Sequence, residues 1–306
     1  MSKYFDSTRH ADNRIGARSA SNPVEVQEML EVVTEATGAV KGMPVSRLEG
    51  CRKLRLPTSS DSRLIFPRND IAAAALESYR ALRTRLLRLQ SAQGLRSIVT
   101  TSAMAGEGKT LTTMNLALCC AQLHDFRVLV IDSDLRTHGL THLVGNPPGP
   151  GLGDILSGLK NYDDAIQSTD NPNLFVLTGG SSSTPAPELF ARSQWKELMG
   201  WCGETFRLVL VDSPPVLMVA DFEQIVGACD GVLVVVRALQ TPREMLKRMA
   251  LRVDPKKLLG AVFNGAASDE ENYYVMGYTS VGPENSPLKN GVLAERASEE
   301  KTDAAV

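Results

Sequence analysis

The sequence predicts an α/β fold in which a doubly wound, mostly parallel β-sheet is covered by helices on both faces. Short, almost continuously apolar runs rich in β-branched residues alternate with longer stretches of helical spacing. Strands of this composition are typical of parallel sheets, which are buried on both faces. Glycine-rich or acidic residues follow several of the runs directly, at the sheet edge where such folds bind their ligands. We therefore expect one domain with its functional site at the carboxyl ends of the strands.

The predicted domain covers residues 71–265 and opens with a helix over residues 71–89, IAAAALESYRALRTRLLRL. Strong helix formers with apolar residues at helical spacing indicate this helix, and Asn69 and Asp70 precede it as candidate caps. The six strands predicted after it are Arg96–Ser102, Arg127–Asp132, Asn173–Thr178, Arg207–Asp212, Gly231–Arg237 and Leu258–Asn264.

The two ends of the chain lack this pattern. Residues 1–70 are rich in Ser, Arg, Asn and Pro, and residues 266–306 lose their periodicity and become net acidic. Such composition does not bury enough apolar surface to fold by itself. We predict a flexible N-terminal arm over 1–70 and a disordered tail over 266–306.

Composition excludes some classes of function. The 306 residues carry a formal net charge of -2, so no overall basic field would hold a nucleic acid. The five cysteines are odd in number and lack C-x-x-C spacing, which indicates reduced core residues of a cytosolic protein. Apolar runs such as VLVVV at 232–236 are far shorter than the roughly 18 residues of a membrane span. We expect a cytoplasmic protein that does not bind nucleic acid.

Residues 103–110, AMAGEGKT, fit the phosphate-loop pattern G-x-x-x-x-G-K-[ST] except that Ala103 replaces the first glycine. The loop follows a predicted strand and opens a predicted helix, which is the context that this motif requires and which disfavours a plain strand-to-helix turn. Gly106 and Gly108 let successive backbone N–H groups point at phosphate oxygens, and the helix adds its positive end. Lys109 would reach the β and γ phosphates, and Thr110 would join a Mg²⁺ shell. The residues expected to bind the nucleotide are Ala105, Gly106, Glu107, Gly108, Lys109, Thr110 and Leu111.

Acidic residues end two further strands. Asp132 and Asp134 follow one strand and Asp212 ends another. Phosphoryl transfer needs a metal on the phosphate oxygens and a carboxylate that orients or deprotonates the nucleophile. A strand-terminal Asp alone is as often a turn former or a cap, but together with the loop these three predict a phosphoryl-transfer site. Arg136 would pair with a phosphate or with a nearby carboxylate.

Over residues 70–265 the chain resembles the bacterial tyrosine kinases, the autokinases of capsule and polysaccharide export. The motifs that carry the resemblance are GEGKT at 106–110, VLVIDSDLR at 128–136, VLVDSPP at 209–215, PGLGDILSGL at 150–159 and TPAPELFARSQWKELM at 184–199. The resemblance implies a phosphate-loop NTPase fold of the ParA and MinD type that uses ATP and Mg²⁺, with Lys109 as a catalytic residue. It also implies that Asp132 and Asp134 act near the attacking tyrosine hydroxyl and the metal, and that Asp212 holds Mg²⁺ through water. Thr110, Asp132 and Asp212 are the expected metal residues.

Glu77, Arg80 and Arg83 fit the family's E-x-x-R-x-x-R motif and form one charged stripe on a helix. The resemblance implies that this stripe binds a neighbouring subunit in a homo-oligomeric ring. The spacing alone favours a solvated face with internal ion pairs. Asn264, at the end of the last strand, would read the adenine or serve only as a turn residue.

Three tyrosines of the tail, Tyr273, Tyr274 and Tyr278, are candidate phosphate acceptors, because a flexible segment can enter an active site without unfolding. The family's tails hold denser tyrosine clusters, so a chance grouping is the alternative. The resemblance further implies a separate membrane-embedded activator that recruits the protein to the inner face of the plasma membrane.

The sequence thus predicts a protein-tyrosine autokinase that regulates exopolysaccharide or capsule polymerisation and export. A ParA- or MinD-like ATPase is one alternative, although Met104 stands where those proteins carry an extra lysine. A nucleotide-dependent regulatory subunit without tyrosine transfer is the other.

Overall fold

The computed structural model describes residues 48, 50–57, 64 and 73–266, and within them eight strands form a single sheet. The strands are β1 (Arg52–Lys53), β2 (Ser97–Ser102), β3 (Val128–Asp132), β4 (Gln167–Ser168), β5 (Leu174–Leu177), β6 (Leu208–Asp212), β7 (Gly231–Arg237) and β8 (Leu258–Asn264). Their order across the sheet is β1-β4-β5-β3-β6-β2-β7-β8. The pair β4 and β5 is antiparallel, and the other neighbours are parallel. The predicted doubly wound, mostly parallel α/β sheet is confirmed.

Helices connect the strands and cover both faces of the sheet. They are α1 (Ala73–Gln93), α2 (Lys109–Cys120), α3 (Gly139–Leu143), α4 (Leu152–Leu156), α5 (Tyr162–Ala165), α6 (Ala186–Phe190), α7 (Ser193–Thr205), α8 (Phe222–Gly227) and α9 (Arg243–Ala250). Among the described residues, none of the helices combines the length and the hydropathy that crossing a bilayer requires.

Two apolar clusters form the core, one on each face of the sheet, and the strands β2, β3, β5, β6 and β7 contribute to both. In β2, for example, Ile98 belongs to the cluster under α1 and α2, whereas Val99 belongs to the cluster under α7 and α8. Side chains alternate across a strand, so burial of both faces demands a continuous apolar run. This is why these five strands could be read from the sequence, whereas β8, at the edge of the sheet, is apolar in composition but partly exposed. All five cysteines are buried and unpaired.

The predicted arm contributes residues to this domain. Arg52 and Lys53 pair in parallel with Gln167 and Ser168 and form one edge of the sheet. Leu54 and Leu64, also within residues 1–70, are buried. The folded domain therefore begins before the predicted boundary at residue 71. A strand of two residues carries no detectable alternation, which explains why β1 and β4 were not predicted.

Candidate functional site

The phosphate loop joins the carboxyl end of β2 to the first turn of α2. Its chain reversal uses two left-handed glycines, Gly106 with φ of 81° and Gly108 with φ of 91°. A Cβ on Gly108 would also collide with the side-chain amide of Asn264. Ala103 is buried and is not among the described non-glycine residues with positive φ. Alanine therefore fits the first position of the motif without backbone strain.

Asn264 of the edge strand β8 and Thr241, which follows β7, hold this loop in place. Asn264, at the end of β8, donates a side-chain N–H to the backbone oxygen of Glu107 at 2.9 Å. The Glu107 carboxylate is buried and accepts from the Met104 N–H at 2.8 Å and from the Thr241 hydroxyl. In this structure Asn264 thus anchors the loop. Thr241 was not identified from the sequence, because nothing local to it indicates a contact 134 residues away.

The acidic residues meet beside the loop. Strand register places Asp132 of β3 opposite Asp212 of β6, and both side chains are fully buried. The Lys109 Nζ lies 3.6 Å from Asp134 Oδ2. Because β2, β3 and β6 are adjacent and parallel, their carboxyl ends bring the loop and the three acids to one edge of the sheet.

Asp212 is buried without a hydrogen-bond partner for either carboxylate oxygen in the described part of the chain. Its pKa is raised to about 7, mainly by burial and also by the nearby carboxylate of Asp132, while the Lys109 ammonium and the Thr110 hydroxyl oppose the rise. A buried carboxylate in this state is stabilised by a cation. Mg²⁺ in phosphate sites takes one or two carboxylates or hydroxyls and completes its shell with phosphate and water, so Asp212 and Thr110 fit it. Within the described ranges no three His, Cys, Asp or Glu side chains cluster as a metal site by themselves.

Asp132 is held by Thr141 of α3, and Asp134 is held by Thr137 in the turn before that helix. Asp132 Oδ2 accepts from both the N–H and the hydroxyl of Thr141, at 2.8 Å and 2.6 Å. Burial raises the pKa of Asp132, and the two bonds from Thr141 oppose this shift. Asp134 accepts from the N–H and the hydroxyl of Thr137, at 3.1 Å and 2.7 Å. Neither threonine was identified from the sequence, although Thr137, three residues after Asp134, fits a known local turn signal.

Arg136 pairs with a carboxylate of its own chain. Its guanidinium lies 2.8 Å from Oδ2 of the fully buried Asp221, which was not identified from the sequence. Beside this pair lies a cavity of about 360 Å³ lined by Leu135, Arg136, His138 and residues of the 179–189 segment. The walls are mixed, with proline and leucine side chains next to serine and threonine hydroxyls. Such a cavity next to the acidic edge has room for a substrate side chain.

The three residues of the charged stripe have different surroundings. Glu77 and Arg80 pair with each other at 3.3 Å, and their side chains are 58% and 49% exposed. Arg83 donates to the Cys119 backbone oxygen at 2.8 Å, at the carboxyl end of α2, and is half-buried. The three tail tyrosines, Tyr273, Tyr274 and Tyr278, lie outside the described residues.

Comparisons with known proteins complete these observations. No protein-family model matches the chain. The tyrosine-protein kinase YwqD of Bacillus subtilis is 32% identical over 200 residues, which are 65% of this chain and 84% of that protein. The tyrosine-protein kinase ptk of Acinetobacter johnsonii is 36% identical over 194 residues, 62% of this chain but 26% of that protein. The chain thus spans most of the first relative and about a quarter of the second.

Solved structures give the same picture. The kinase domain of the Escherichia coli tyrosine kinase ETK aligns with a TM-score of 0.59 at 27% identity, covering 78% of this chain and all of that one. The chimerical protein CapA2B2 aligns with a TM-score of 0.61 at 26% identity, covering 71% of this chain and 95% of that one.

Proposed function

Because the chain belongs to the family of bacterial tyrosine-protein kinases, we propose that it is an ATP-dependent protein-tyrosine autokinase that regulates exopolysaccharide or capsule polymerisation and export. The observation that carries this proposal is the meeting of Lys109, Asp134 and Asp212 beside the phosphate loop. Phosphoryl transfer depends on positioning and on charge stabilisation, and these residues supply both.

Each part of the site has a role in the proposed reaction. The backbone N–H groups of residues 105–111 bind the phosphates of ATP at the start of α2, and Lys109 neutralises the transferred phosphate. Thr110 and Asp212, with Asp132 beside them, would hold Mg²⁺, which when bound would draw electron density from the phosphate oxygens. Asp132 and Asp134 orient the tyrosine hydroxyl, and Asp132 accepts its proton. Asn264 keeps the loop closed by its bond to Glu107.

The acceptors in this proposal are Tyr273, Tyr274 and Tyr278 of a neighbouring subunit. The half-exposed pair of Glu77 and Arg80 supports a contact between subunits, since its side chains remain accessible. A membrane-embedded activator would recruit the cytoplasmic protein to the inner face of the plasma membrane. Residues 266–306 would then act as the acceptor tail.

Phosphate mapping tests the kinase activity. The purified protein is incubated with Mg²⁺ and ATP, and phosphorylated residues are identified by mass spectrometry while ADP release is followed. We expect label on one or more of the three tail tyrosines, and its loss in Lys109→Met and in Asp132→Asn. Lys196→Met is the matched control, because Lys196 is exposed on α7. Turnover or binding of ATP without tyrosine label would contradict the proposal and favour an ATPase or a nucleotide-dependent regulatory subunit.

Analytical ultracentrifugation tests the ring. We expect the double variant Glu77→Ala and Arg80→Ala to shift the protein towards monomers without lowering its melting temperature, since an exposed ion pair contributes only about 0–1 kcal/mol. The exposed pair of Glu244 and Lys247 on α9, also three residues apart, provides the control. An unchanged oligomer distribution in the Glu77 and Arg80 variant would exclude this surface.

A further inference from the structure

We propose that Thr141 is a positioning residue for phosphoryl transfer, an inference that rests on the proposed kinase function. It fixes the orientation of the Asp132 carboxylate and links that orientation to the segment beginning at Gly179. The proposal depends on three hydrogen bonds around one hydroxyl group.

Thr141 distinguishes the two oxygens of Asp132. Its N–H and its hydroxyl both donate to Oδ2, at 2.8 Å and 2.6 Å. Among the described residues, Oδ1 accepts only from the Asp134 N–H, at a longer 3.3 Å. Two short bonds localise negative charge on Oδ2 and leave Oδ1 as the oxygen with free capacity. The carboxylate is therefore held so that Oδ1 is the atom that takes a proton.

The direction of the Thr141 bond is fixed from the other side. The Gly179 N–H donates to the Thr141 hydroxyl oxygen at 2.9 Å. A hydroxyl has one proton, and a backbone N–H can only donate, so the Thr141 proton must point to Asp132. Gly179 is itself confined, because a Cβ there would collide with the imidazole of His138. His138 has φ of 49° and directly precedes α3, which carries Thr141.

This arrangement serves a defined step. The proton of the acceptor tyrosine passes to Oδ1 of Asp132, and the tyrosine oxygen forms a bond to the γ-phosphorus of ATP. The bond from that phosphorus to the β–γ bridging oxygen breaks, and its electron pair leaves with ADP. An error in the angle of the carboxylate slows this step without weakening nucleotide binding. Gly179 and His138 also line the cavity beside Arg136, so a substrate in that cavity would act on Asp132 through Thr141.

Kinetics on the full chain separate positioning from folding. Thr141→Val removes the hydroxyl and keeps the shape of the side chain, whereas Thr141→Ser retains the donor. We expect Val to lower the transfer rate at saturating ATP by about tenfold or more while KM for ATP stays within about twofold, and Ser to restore most of the rate. Thr205→Val, which deletes a hydroxyl bonded to the Trp201 backbone oxygen on α7, is the matched control and should keep the wild-type rate. A Val variant with the wild-type rate, or a Ser variant as slow as Val, would overturn the proposal.

A second test changes Gly179, whose N–H donates to the Thr141 hydroxyl. We expect Gly179→Ala to slow transfer as Thr141→Val does, because the new methyl group displaces the N–H from Thr141. Adding His138→Gly should restore the rate, since it removes the ring that the methyl group meets. Combining Gly179→Ala with Thr141→Val should lower the transfer rate no further than either change alone. Additive effects would refute a connection from Gly179 through Thr141 to Asp132.

The outcome is separable from that of the proposed function. If the wild-type protein hydrolyses ATP but labels no tyrosine, the kinase proposal fails. The same variants are then scored on the hydrolysis rate, where water takes the place of the tyrosine, and the expected pattern for Thr141 is unchanged.

Discussion

Asp212 has neither a hydrogen-bond partner for its carboxylate nor access to solvent in the described part of the chain. Burial of an unpaired carboxylate costs folding free energy unless it is protonated or bound to a cation. Its position opposite Asp132 adds repulsion between two acids. We infer that the site without ligand is locally destabilised and that Mg²⁺ with ATP relieves this.

The first prediction follows from the raised pKa of Asp212. A carboxyl group whose pKa is higher in the folded state binds its proton more tightly there. The protonated Asp212 therefore contributes its full share of folding stability below its unfolded pKa of about 4. That stability is lost as the pH rises to its folded pKa of about 7. We expect Asp212→Asn to melt at the wild-type temperature near pH 4 but about 2–4 °C or more above it at pH 8, without ligand. Thermal unfolding at both pH values measures this difference.

The same variant should lose most of the stabilisation that Mg²⁺ and ATP give the wild type, because ligand binding adds to folding stability. Asp230→Asn is the contrasting control. Its carboxylate accepts from the N–H groups of Arg96 and Ser97 and from the Ser97 hydroxyl, so this change should destabilise. An Asp212→Asn protein that melts below the wild type at pH 8 would refute the argument.

At the scale of elements, the phosphate loop is shaped by its two left-handed glycines and by β8. Gly108 has both a left-handed φ and no space for a side chain, because of Asn264. Gly106 also has a left-handed φ, but a Cβ added there would meet no other atom within 4 Å. Ala103 has neither constraint, since its backbone is not left-handed. The three positions of one loop therefore differ in what they tolerate.

The second prediction ranks substitutions in this loop by titration calorimetry with Mg²⁺ and ATP. Gly108→Ala should weaken nucleotide binding most, by about a hundredfold or more, because the methyl group displaces Asn264 and opens the loop in addition to the strain of a left-handed alanine. Gly106→Ala should weaken nucleotide binding less, because it adds only the strain of a left-handed alanine, about 1–2 kcal/mol. Ala103→Gly, which restores the usual motif, should not improve affinity. A tighter complex of Ala103→Gly would mean that the first position needs a conformation which alanine resists.

The elements that the sequence could predict are those whose pattern is local. The long buried strands were found because burial on two faces leaves a continuous apolar run, and α1 was found because one buried stripe leaves a helical period. The edge strand at Arg52 was not, because its pairing with Gln167 depends on a contact distant in the chain. Within the site, the positions of Asp132 and Asp212 at the ends of their strands allowed us to predict that they lie close together. The orientation of Asp132 could not be predicted, since it depends on Thr141 and on the left-handed turn at His138.

At the scale of the whole domain, the segment around β1 links the two halves of the core. Leu48 and Cys51 belong to the cluster under α7, and Leu54 and Leu64 belong to the cluster under α1 and α2. The segment therefore passes from one face of the sheet to the other at the β1 edge. Its buried leucines cover apolar surface that the rest of the domain would otherwise expose to water.

The third prediction compares chains that begin at residue 45 and at residue 71. Both lack residues 1–44, but only the shorter chain loses β1 and the buried side chains of Leu48, Leu54 and Leu64. Burial of one leucine contributes about 1.5–3 kcal/mol, so we expect the chain from residue 71 to unfold in urea with at least about 4 kcal/mol less free energy. The chain from residue 45 should match the full chain. Leu54→Ala in the full chain, expected to cost about 2–5 kcal/mol, separates lost packing from a trivial effect of chain length. Equal unfolding free energies for the two truncated chains would place the start of the folding unit at α1, and the β1 segment would then be an attachment without a share in the stability of the core.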